Sequence, residues 1–296
     1  MELIKAVRPP SLRRVWLFVP GNDMNQHAIA MKSGADAIVA DLEEMTAPED
    51  RVQARQRIVA MLREAAAIGQ IGAVRINKLE HDGHADLQGI MAGVPRAVFL
   101  PHSESPTQMI ALDAALSALE TAHGISPGST EIVPTIESAK GLVALAGILS
   151  ATSRIRCCML AVEDLAANLG ARRTPGATEL LYARSRFLIE CVAAECVAID
   201  LPCTYRSNEI LAADLDLSTQ LGFTSKCVVF AEQVPAVNSA LTPSIEAIID
   251  ARELVRKFML QDSSTRTEEW IDTPERNNSM KVIARHQEFD AFNTQT

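Results

Sequence analysis

The amino-acid sequence predicts an α/β protein, a (β/α)8 TIM barrel with a C-terminal helical extension. Eight short apolar runs of strand character lie between residues 14 and 230, and segments of helical character separate them. Continuous apolar runs are typical of parallel strands that are buried on both faces of a sheet. Eight such strands close a barrel, and 296 residues exceed the roughly 250 that this architecture commonly occupies.

An open doubly wound sheet is the alternative architecture. Such sheets usually have fewer strands, and the chain lacks the Gly-x-Gly-x-x-Gly turn that marks their nucleotide site. The strand count therefore favours the barrel.

The first half of the chain supplies four predicted strands, at residues 14–20, 37–43, 73–77 and 97–101. Asp23 can cap the helix after the first strand. The inner side of this helix is expected to carry Ile29, Ala30 and Ala35. Pro48 opens a polar helix that should reach about residue 63, and another helix is expected over residues 105–123.

The second half repeats the pattern, with predicted strands at residues 131–137, 157–164, 196–202 and 226–230. The expected helices cover residues 138–149, 175–194, 207–221 and 243–259. Two of the strands end in acids, at Glu137 and at the pair Glu163–Asp164. Because parallel strands of a barrel end on the same face, these carboxylates should point to one end of it.

The chain is expected to divide into a TIM-barrel catalytic domain, residues 1–260, and an extension, residues 261–296. Residues 262–269 are polar and read as a linker, and residues 270–274 form a small apolar island. A helix is predicted over residues 275–289. The extension is expected to cover the mouth of its own barrel or that of a neighbouring subunit.

Composition excludes several classes of protein. Hydrophobic residues make up 48% and charged residues 22% of the chain, which is typical of globular proteins and not of disordered ones. The net charge of −9 and the absence of a basic stripe argue against nucleic-acid binding. No apolar run approaches the roughly 18 residues of a membrane helix, and residues 15–19 are too short for a signal peptide. We therefore expect a cytoplasmic protein without a membrane partner.

The six cysteines are expected to be reduced and structural. They lie mostly in apolar segments, without a Cys-x-x-Cys pair and without histidines at ligand spacing. Free cysteine commonly behaves as a small buried hydrophobic residue.

Residues that can carry chemistry follow the predicted strands, where the active sites of TIM barrels lie. They are Pro20, Gly21, Asn22, Asp41, Glu43, Glu44, Arg75, His102, Glu137, Glu163, Asp164, Asp200 and Glu232. Glu137 and Asp164 together suit Mg²⁺, which takes one or two carboxylates and completes its octahedron with water and substrate. The oxygen-rich set disfavours zinc. The alternative is that these acids only cap the helices that follow them.

Arg75 lies inside an apolar strand, where an arginine is rarely buried without an anion. It can pair with Asp41 or Glu43 as a structural element. It can equally grip a substrate carboxylate or polarise a thioester carbonyl through its planar fork. The residues alone leave both interpretations open.

An ordered series of short motifs resembles the HpcH/HpaI aldolase–citrate lyase superfamily, in its citrate lyase β-subunit-like (citryl-CoA/malyl-CoA lyase) branch. The matching segments are Leu17-Phe18-Val19-Pro20-Gly21-Asn22, Gly34-Ala35-Asp36-Ala37, Asp41-Leu42-Glu43-Glu44, Val74-Arg75-Ile76-Asn77, Leu100-Pro101, Pro134-Thr135-Ile136-Glu137-Ser138, Glu163-Asp164-Leu165, Ala198-Ile199-Asp200 and Gly222-Phe223-Thr224-Ser225-Lys226.

The resemblance implies a (β/α)8 barrel in which Glu137 and Asp164 hold Mg²⁺. It implies that Arg75 binds the substrate and stabilises an enolate. The acids that would shape the metal's surroundings and the pocket are Asp41, Glu43 and Glu44. The residues expected to contact the 2-oxo acid or the acyl-CoA are Pro20, Asn22, Ala161, Val162 and Glu163. The family commonly forms trimers or hexamers, so the resemblance implies a homo-oligomer. In its malyl-CoA lyase members a neighbour's C-terminal segment supplies a catalytic aspartate, and Asp272 is the position that would match it.

The chain departs from the family pattern at several positions. His102 stands where a lysine is common, Ala161 where a glycine is common, and Phe230-Ala231 where a His-Pro pair is usual. The positions of the metal ligands and of Arg75 are intact. These departures predict an altered pocket for the acyl-CoA or for the distal group of the acid.

The predicted function is a Mg²⁺-dependent carbon–carbon lyase acting on a 3-hydroxy acid acyl-CoA thioester of the citryl-, malyl- or citramalyl-CoA type. It would give acetyl-CoA and a 2-oxo acid, or run in reverse. One alternative is a class II aldolase or an acyl-CoA thioesterase on related acids. The other is a non-catalytic paralogue that keeps the barrel and binds a ligand, which the departures at His102 and Phe230-Ala231 keep open.

Overall fold

A computed structural model, which describes residues 7–261 and 270–295, contains eight parallel strands in a closed barrel. The strands follow one another around the ring in sequence order, and the eighth pairs with the first. They are β1 (Val15–Pro20), β2 (Ala37–Asp41), β3 (Ile71–Arg75), β4 (Ala97–Leu100), β5 (Glu131–Ile136), β6 (Cys157–Leu160), β7 (Val197–Asp200) and β8 (Ser225–Val228). The predicted (β/α)8 barrel is confirmed.

Helices follow the strands in the expected alternation. They are α1 (Met24–Lys32), α2 (Arg51–Ala67), α3 (His84–Ile90), α4 (Pro106–His123), α5 (Ala139–Val143), α6 (Leu145–Leu149), α7 (Glu163–Asn168), α8 (Leu181–Ala193), α9 (Asn208–Leu221), α10 (Val234–Ala240), α11 (Ile245–Leu260) and α12 (Thr273–Gln295). Within the described residues, none of them combines the length and the apolar character that crossing a membrane requires.

Some predicted boundaries were wrong. The sixth strand ends at Leu160, and Glu163 and Asp164 form the first turn of α7 instead of the strand end. The helix expected over residues 138–149 is two short helices, α5 and α6. Asp23 caps α1 as predicted, through hydrogen bonds from the N–H groups of residues 25 and 26.

The inner side of α1 also differs from the prediction. His27 and Ala30 are its buried residues, whereas Ile29 is 47% exposed. Positions 27 and 30 share a face because they are three residues apart, and residue 29 is rotated by about 100° from residue 30. Ala35 is buried, but it follows the helix in the loop before β2.

Large side chains fill the barrel. Trp16 and Phe18 on β1 both meet Phe99 of β4 edge to face, with ring centroids 5.3 and 5.4 Å apart. The indole N–H of Trp16 donates to Ser225 Oγ, so its polar end is satisfied. The top of this cluster includes Met159 and Cys227, which lie toward the carboxyl ends of β6 and β8.

All six cysteines are free and buried, as predicted. Burial raises the pKa of the Cys227 thiol to about 12, so it remains protonated at neutral pH. The described cysteines are therefore packing residues.

A buried charge network lies on the outer side of the barrel sheet, between the strands and the helices. Lys226 on β8 reaches Asp200 on β7 at 2.9 Å and Asp214 on α9 at 2.7 Å. Arg184 on α8 binds the same two carboxylates at 2.5 and 3.0 Å. The neighbouring strand residue 199 belongs to the barrel interior, so Asp200 faces the helices and not the cavity. Two cations therefore balance two carboxylates in a region without solvent.

The chain divides into two compact units, Met1–Asn238 and Ser239–Thr296. The first unit contains all eight strands. The second contains α11 packed against α12, and Gln261 bonds both backbone groups of Ile271. The helix predicted over residues 275–289 is present as the longer α12, while the predicted linker at 262–269 lies outside the described residues. The predicted domain division at residue 260 stays a prediction.

Replacement of Lys226 by methionine should destabilise the protein by about 3–5 kcal/mol, because it leaves buried carboxylates short of a cation. Urea unfolding followed by circular dichroism measures this change. The exposed Lys32→Met variant is the matched control and should unfold close to the wild type. An unchanged midpoint for Lys226→Met would contradict the network's role.

Candidate active site

Four strand ends, those of β2 and β3 and those of β5 and β6, bring the predicted site residues together. Asp41 is the last residue of β2 and lies opposite Arg75, the last residue of β3. Glu137 directly follows β5, and Ala161 directly follows β6 and donates its N–H to Ile136. The barrel therefore gathers residues far apart in sequence at one mouth, as its topology requires.

The guanidinium of Arg75 binds Asp41 through two parallel hydrogen bonds. The Nε–Oδ1 distance is 2.9 Å and the Nη2–Oδ2 distance is 2.5 Å. Glu43 approaches Nη1 at 3.2 Å and Glu44 approaches Nη2 at 3.0 Å. Burial opposes the charge, but Asp41, Glu43 and Glu44 together raise the pKa of Arg75 above its ordinary value. The structural pairing left open by the sequence is thus present.

Asp41 has no exposed surface and all of its carboxylate capacity is in use. Besides Arg75, it accepts the N–H groups of Glu43 at 2.8 Å and Met45 at 3.1 Å. Asp41 therefore fixes both the arginine and the loop that carries Glu43 and Glu44. It has little capacity left for a ligand of its own.

Glu137 is buried and is held by His102, the residue after Pro101. The backbone N–H of His102 donates to Glu137 Oε1, and its ring Nδ1 lies 3.1 Å from the same oxygen. His102 has a left-handed backbone, with φ of 48°, which turns both groups toward the carboxylate. The sequence marked His102 as a strand-end residue and as a departure from the family pattern. It did not predict the contact with Glu137, because the backbone turn that creates this contact leaves no sequence signal.

Two acids of the site have raised pKa values. Burial, with Asp164 and Glu43 nearby, raises the pKa of Glu137 to about 8, although the His102 N–H and Arg75 oppose the rise. Burial likewise raises the pKa of Glu43 to about 7, against the effect of Arg75. Carboxylates that lie close together in a buried site repel one another, and a bound divalent cation would reduce this repulsion.

Asp164 supplies the second predicted metal ligand. Its charge is felt by Glu137, Glu43 and His102, so it belongs to the same cluster. Among residues 7–261 and 270–295, it forms no hydrogen bond or ion pair that would occupy its oxygens. No group of three or more His, Cys, Asp or Glu that could hold a metal ion occurs within this described part. A pair of carboxylates fits Mg²⁺, whose remaining positions go to water and substrate.

A cavity of about 330 Å³ opens beside this cluster. Its lining includes Arg75, Glu44, Ala161, Val162, Glu163 and Asp164. The other lining residues are Phe18, Met45, Met159, Pro202, Thr204, Cys227, Val229 and Phe230. Phe18, Met159 and Cys227 were not among the predicted site residues. Side chains of a strand point alternately to its two faces, and this alternation places these three residues inside the barrel. It was the sequence signal from which their position could have been predicted.

Other predicted site residues are not among those that line the cavity. Asn22 turns its amide to Asp50, with 2.8 Å between Nδ2 and Oδ2, and the carbonyl oxygen of Pro20 receives His27 Nε2 at 2.9 Å. Asp272 belongs to the second unit, where its Oδ1 accepts the N–H of Glu275 at 2.8 Å and so caps α12. The substrate-binding role of Pro20 and Asn22 and the catalytic role of Asp272 remain predictions.

Residues 14–231 match the family described as HpcH/HpaI aldolase/citrate lyase. Citrate lyase subunit beta of Escherichia coli K12 is 29% identical over 250 residues, which cover 84% of this chain and 83% of that protein. L-malyl-CoA/beta-methylmalyl-CoA lyase of Cereibacter sphaeroides is 28% identical over 272 residues, with coverages of 83% and 85%. The solved citrate lyase beta subunit of Mycobacterium tuberculosis, complexed with oxaloacetate and magnesium, is 27% identical. The structural match covers 77% of this chain and 96% of the relative, with a TM-score of 0.65.

Replacement of Asp41 by asparagine should destabilise the fold by about 3–5 kcal/mol, since it removes the buried counter-charge of Arg75. Glu44→Gln is the matched control, because this carboxylate pairs with the same arginine but is 55% exposed and should contribute below about 1 kcal/mol. Chemical denaturation of both variants measures the difference. Equal losses would contradict the assignment of Asp41 as the anchor.

Proposed function

The chain belongs to the HpcH/HpaI aldolase/citrate lyase family, and we propose that it is a Mg²⁺-dependent carbon–carbon lyase. Its substrate would be a 3-hydroxy acid acyl-CoA thioester, cleaved to acetyl-CoA and a 2-oxo acid or formed from them. The relatives named above are lyases, and one solved relative is complexed with oxaloacetate and magnesium. The observation that carries the proposal is the grouping of Glu137, Asp164 and Arg75 at one barrel mouth beside a cavity.

In this proposal, Glu137 and Asp164 hold the metal. Mg²⁺ would supply Lewis-acid polarisation of the acid's oxygens and a template for its orientation. The protein's own part is to keep the ligands in place: His102 restrains one oxygen of Glu137 through its N–H and its ring. Asp164 contributes a carboxylate without a protein partner among the described residues.

The proposed reaction breaks the bond between the carbinol carbon and the CH2 group next to the thioester carbonyl. The hydroxyl group loses its proton and becomes the oxo group, and the electron pair of the broken bond stays on the CH2 group as a thioester enolate. That carbon then accepts a proton to give acetyl-CoA. Arg75 is proposed to stabilise the enolate oxygen, because Arg75 lines the cavity and Asp41 fixes the direction of its guanidinium.

Two further parts of the proposal concern the assembly. Asp272 is proposed to exchange the proton, delivered by the C-terminal segment of a neighbouring subunit in a homotrimer or hexamer. The proposed partners are small molecules only, a 2-oxo acid and an acyl-CoA, and the proposed location is the cytoplasm.

An assay with citryl-, malyl- and citramalyl-CoA, with and without Mg²⁺, tests the function directly. Acetyl-CoA plus a 2-oxo acid supports the lyase. Free CoA with an intact acid would indicate a thioesterase, and cleavage of free hydroxy-oxo acids alone would indicate an aldolase. Failure with every substrate, together with Mg²⁺-dependent binding of a 2-oxo acid, would favour the non-catalytic paralogue.

Glu137→Gln and Asp164→Asn should each lower Mg²⁺-dependent turnover by at least about 100-fold, since each removes a negatively charged ligand. Initial rates at saturating substrate across a Mg²⁺ titration measure the loss. The exposed Glu80→Gln variant, a surface carboxylate, should keep the wild-type rate. Wild-type turnover in either ligand variant would contradict the assignment of that residue as a metal ligand.

Arg75→Lys should lower kcat by about 100-fold to 1,000-fold. A lysine keeps the charge but cannot hold Asp41 bidentately while presenting a fixed edge to the enolate. Steady-state kinetics and a thermal melt separate a catalytic loss from unfolding. A folded Arg75→Lys protein with an unchanged kcat would exclude this role.

A further inference from the structure

The cavity beside Arg75 has an apolar floor. Phe18, Met159 and Cys227 belong to the buried cluster inside the barrel and also line the cavity. Ala161 and Val229 pack against the same cluster and complete this surface. A polar group that reaches the floor would leave water without gaining a strong hydrogen-bond partner, which is costly. The floor therefore suits a hydrogen atom or an alkyl group.

Positive charge near the floor is already neutralised. Arg75 is the one cation among the described residues that line the cavity, and its guanidinium contacts three carboxylates. Three other cations of the surrounding strands and loops are paired as well. These pairs are Arg173 with Glu179 (2.6 Å), Arg206 with Glu232, and Lys226 with Asp200 (2.9 Å). A second substrate carboxylate in this cavity would thus find no unpaired cation among the described residues that line it.

The acids of the lining strengthen this discrimination. Glu44, Glu163 and Asp164 line the cavity together with the single arginine. A divalent cation can offset the two carboxylates of the metal pair. Glu44 shares Arg75 with Asp41 and Glu43, and Glu163 shares Arg173 with Glu179, so the acids around the cavity still outnumber the cations. An additional carboxylate on the substrate would be repelled by these acids.

The substrate's connectivity decides which group meets the floor. The carbinol carbon of a 3-hydroxy acid thioester carries a hydroxyl group, a carboxylate, the thioester arm and one further substituent. The hydroxyl and the carboxylate belong beside Glu137 and Asp164. The thioester arm must leave through the mouth, because coenzyme A is larger than the cavity of about 330 Å³. The remaining substituent is left to the apolar floor.

Building on the proposed lyase function, we propose that this substituent is hydrogen or a small alkyl group and not a carboxymethyl group. The acid released then carries a single carboxylate. The chain should accept thioesters that yield glyoxylate or pyruvate and reject the one that yields oxaloacetate. The floor favours the methyl group of the pyruvate-yielding substrate, which buries apolar surface there.

The wild-type protein tests the inference through binding and turnover. Calorimetry with Mg²⁺ should give pyruvate an affinity at least about 10-fold higher than oxaloacetate, and kcat/KM for citramalyl-CoA should exceed that for citryl-CoA by at least about 100-fold. Equal or tighter oxaloacetate binding, or no binding of any acid, overturns the inference. Preferential pyruvate binding without cleavage of any thioester would support the inference about the apolar floor. It would overturn the lyase proposal instead.

A cation introduced at the floor provides the second test. Val229→Lys should reduce the preference against oxaloacetate by at least about 10-fold, because the ammonium group can meet the second carboxylate. Val192→Lys places the same substitution at a position that is 66% exposed on α8 and should keep the wild-type preference. If thermal melts report that Val229→Lys does not fold, Thr204→Lys on the cavity wall replaces it. An unchanged preference in the folded floor variant contradicts the inference.

Discussion

The buried pair of Arg75 and Asp41 is the interaction on which the geometry of the barrel mouth depends. The two residues end neighbouring strands, so the parallel register alone places them side by side. Asp41 then uses its remaining hydrogen-bond capacity on the N–H groups of Glu43 and Met45, which bends the following loop around the arginine. One carboxylate therefore orients a cation and an acidic loop together. A strand-embedded arginine becomes tolerable because its counter-charge comes from the same sheet.

The charge balance of the mouth follows from this arrangement. Asp41 neutralises Arg75, so Glu43, Glu137 and Asp164 are left as an excess of negative charge in a largely buried site. Burial, together with that excess of negative charge, raises the pKa values of Glu137 and Glu43. A chain with a net charge of −9 thus concentrates its acidity where a hard cation would offset it, and it keeps the adjoining floor apolar.

The sequence predicted the barrel because every strand carried its own local signal, an apolar run closed by a turn or an acid. It also placed Arg75, Asp41 and Glu137 correctly at strand ends, since topology alone brings such ends together. It placed Asp164 at the end of the sixth strand, whereas Asp164 lies in the first turn of the helix that follows. An apolar run does not show where a strand ends. The contact between His102 and Glu137 and the direction of Asn22 depend on backbone turns and on long-range packing. Neither feature produces a repeating pattern of apolar and polar residues from which it could be predicted.

The left-handed turn at position 102 has a consequence for how this mouth can vary. Because the main chain itself donates to Glu137, this hydrogen bond does not require any particular side chain at the position. Asparagine, glycine, lysine or histidine could occupy it with little backbone strain or a moderate amount, and the donated hydrogen bond would persist. A substitution at position 102 can therefore change the charge at the rim of the barrel while this backbone hydrogen bond is kept. The histidine found here adds a ring contact with the same carboxylate oxygen.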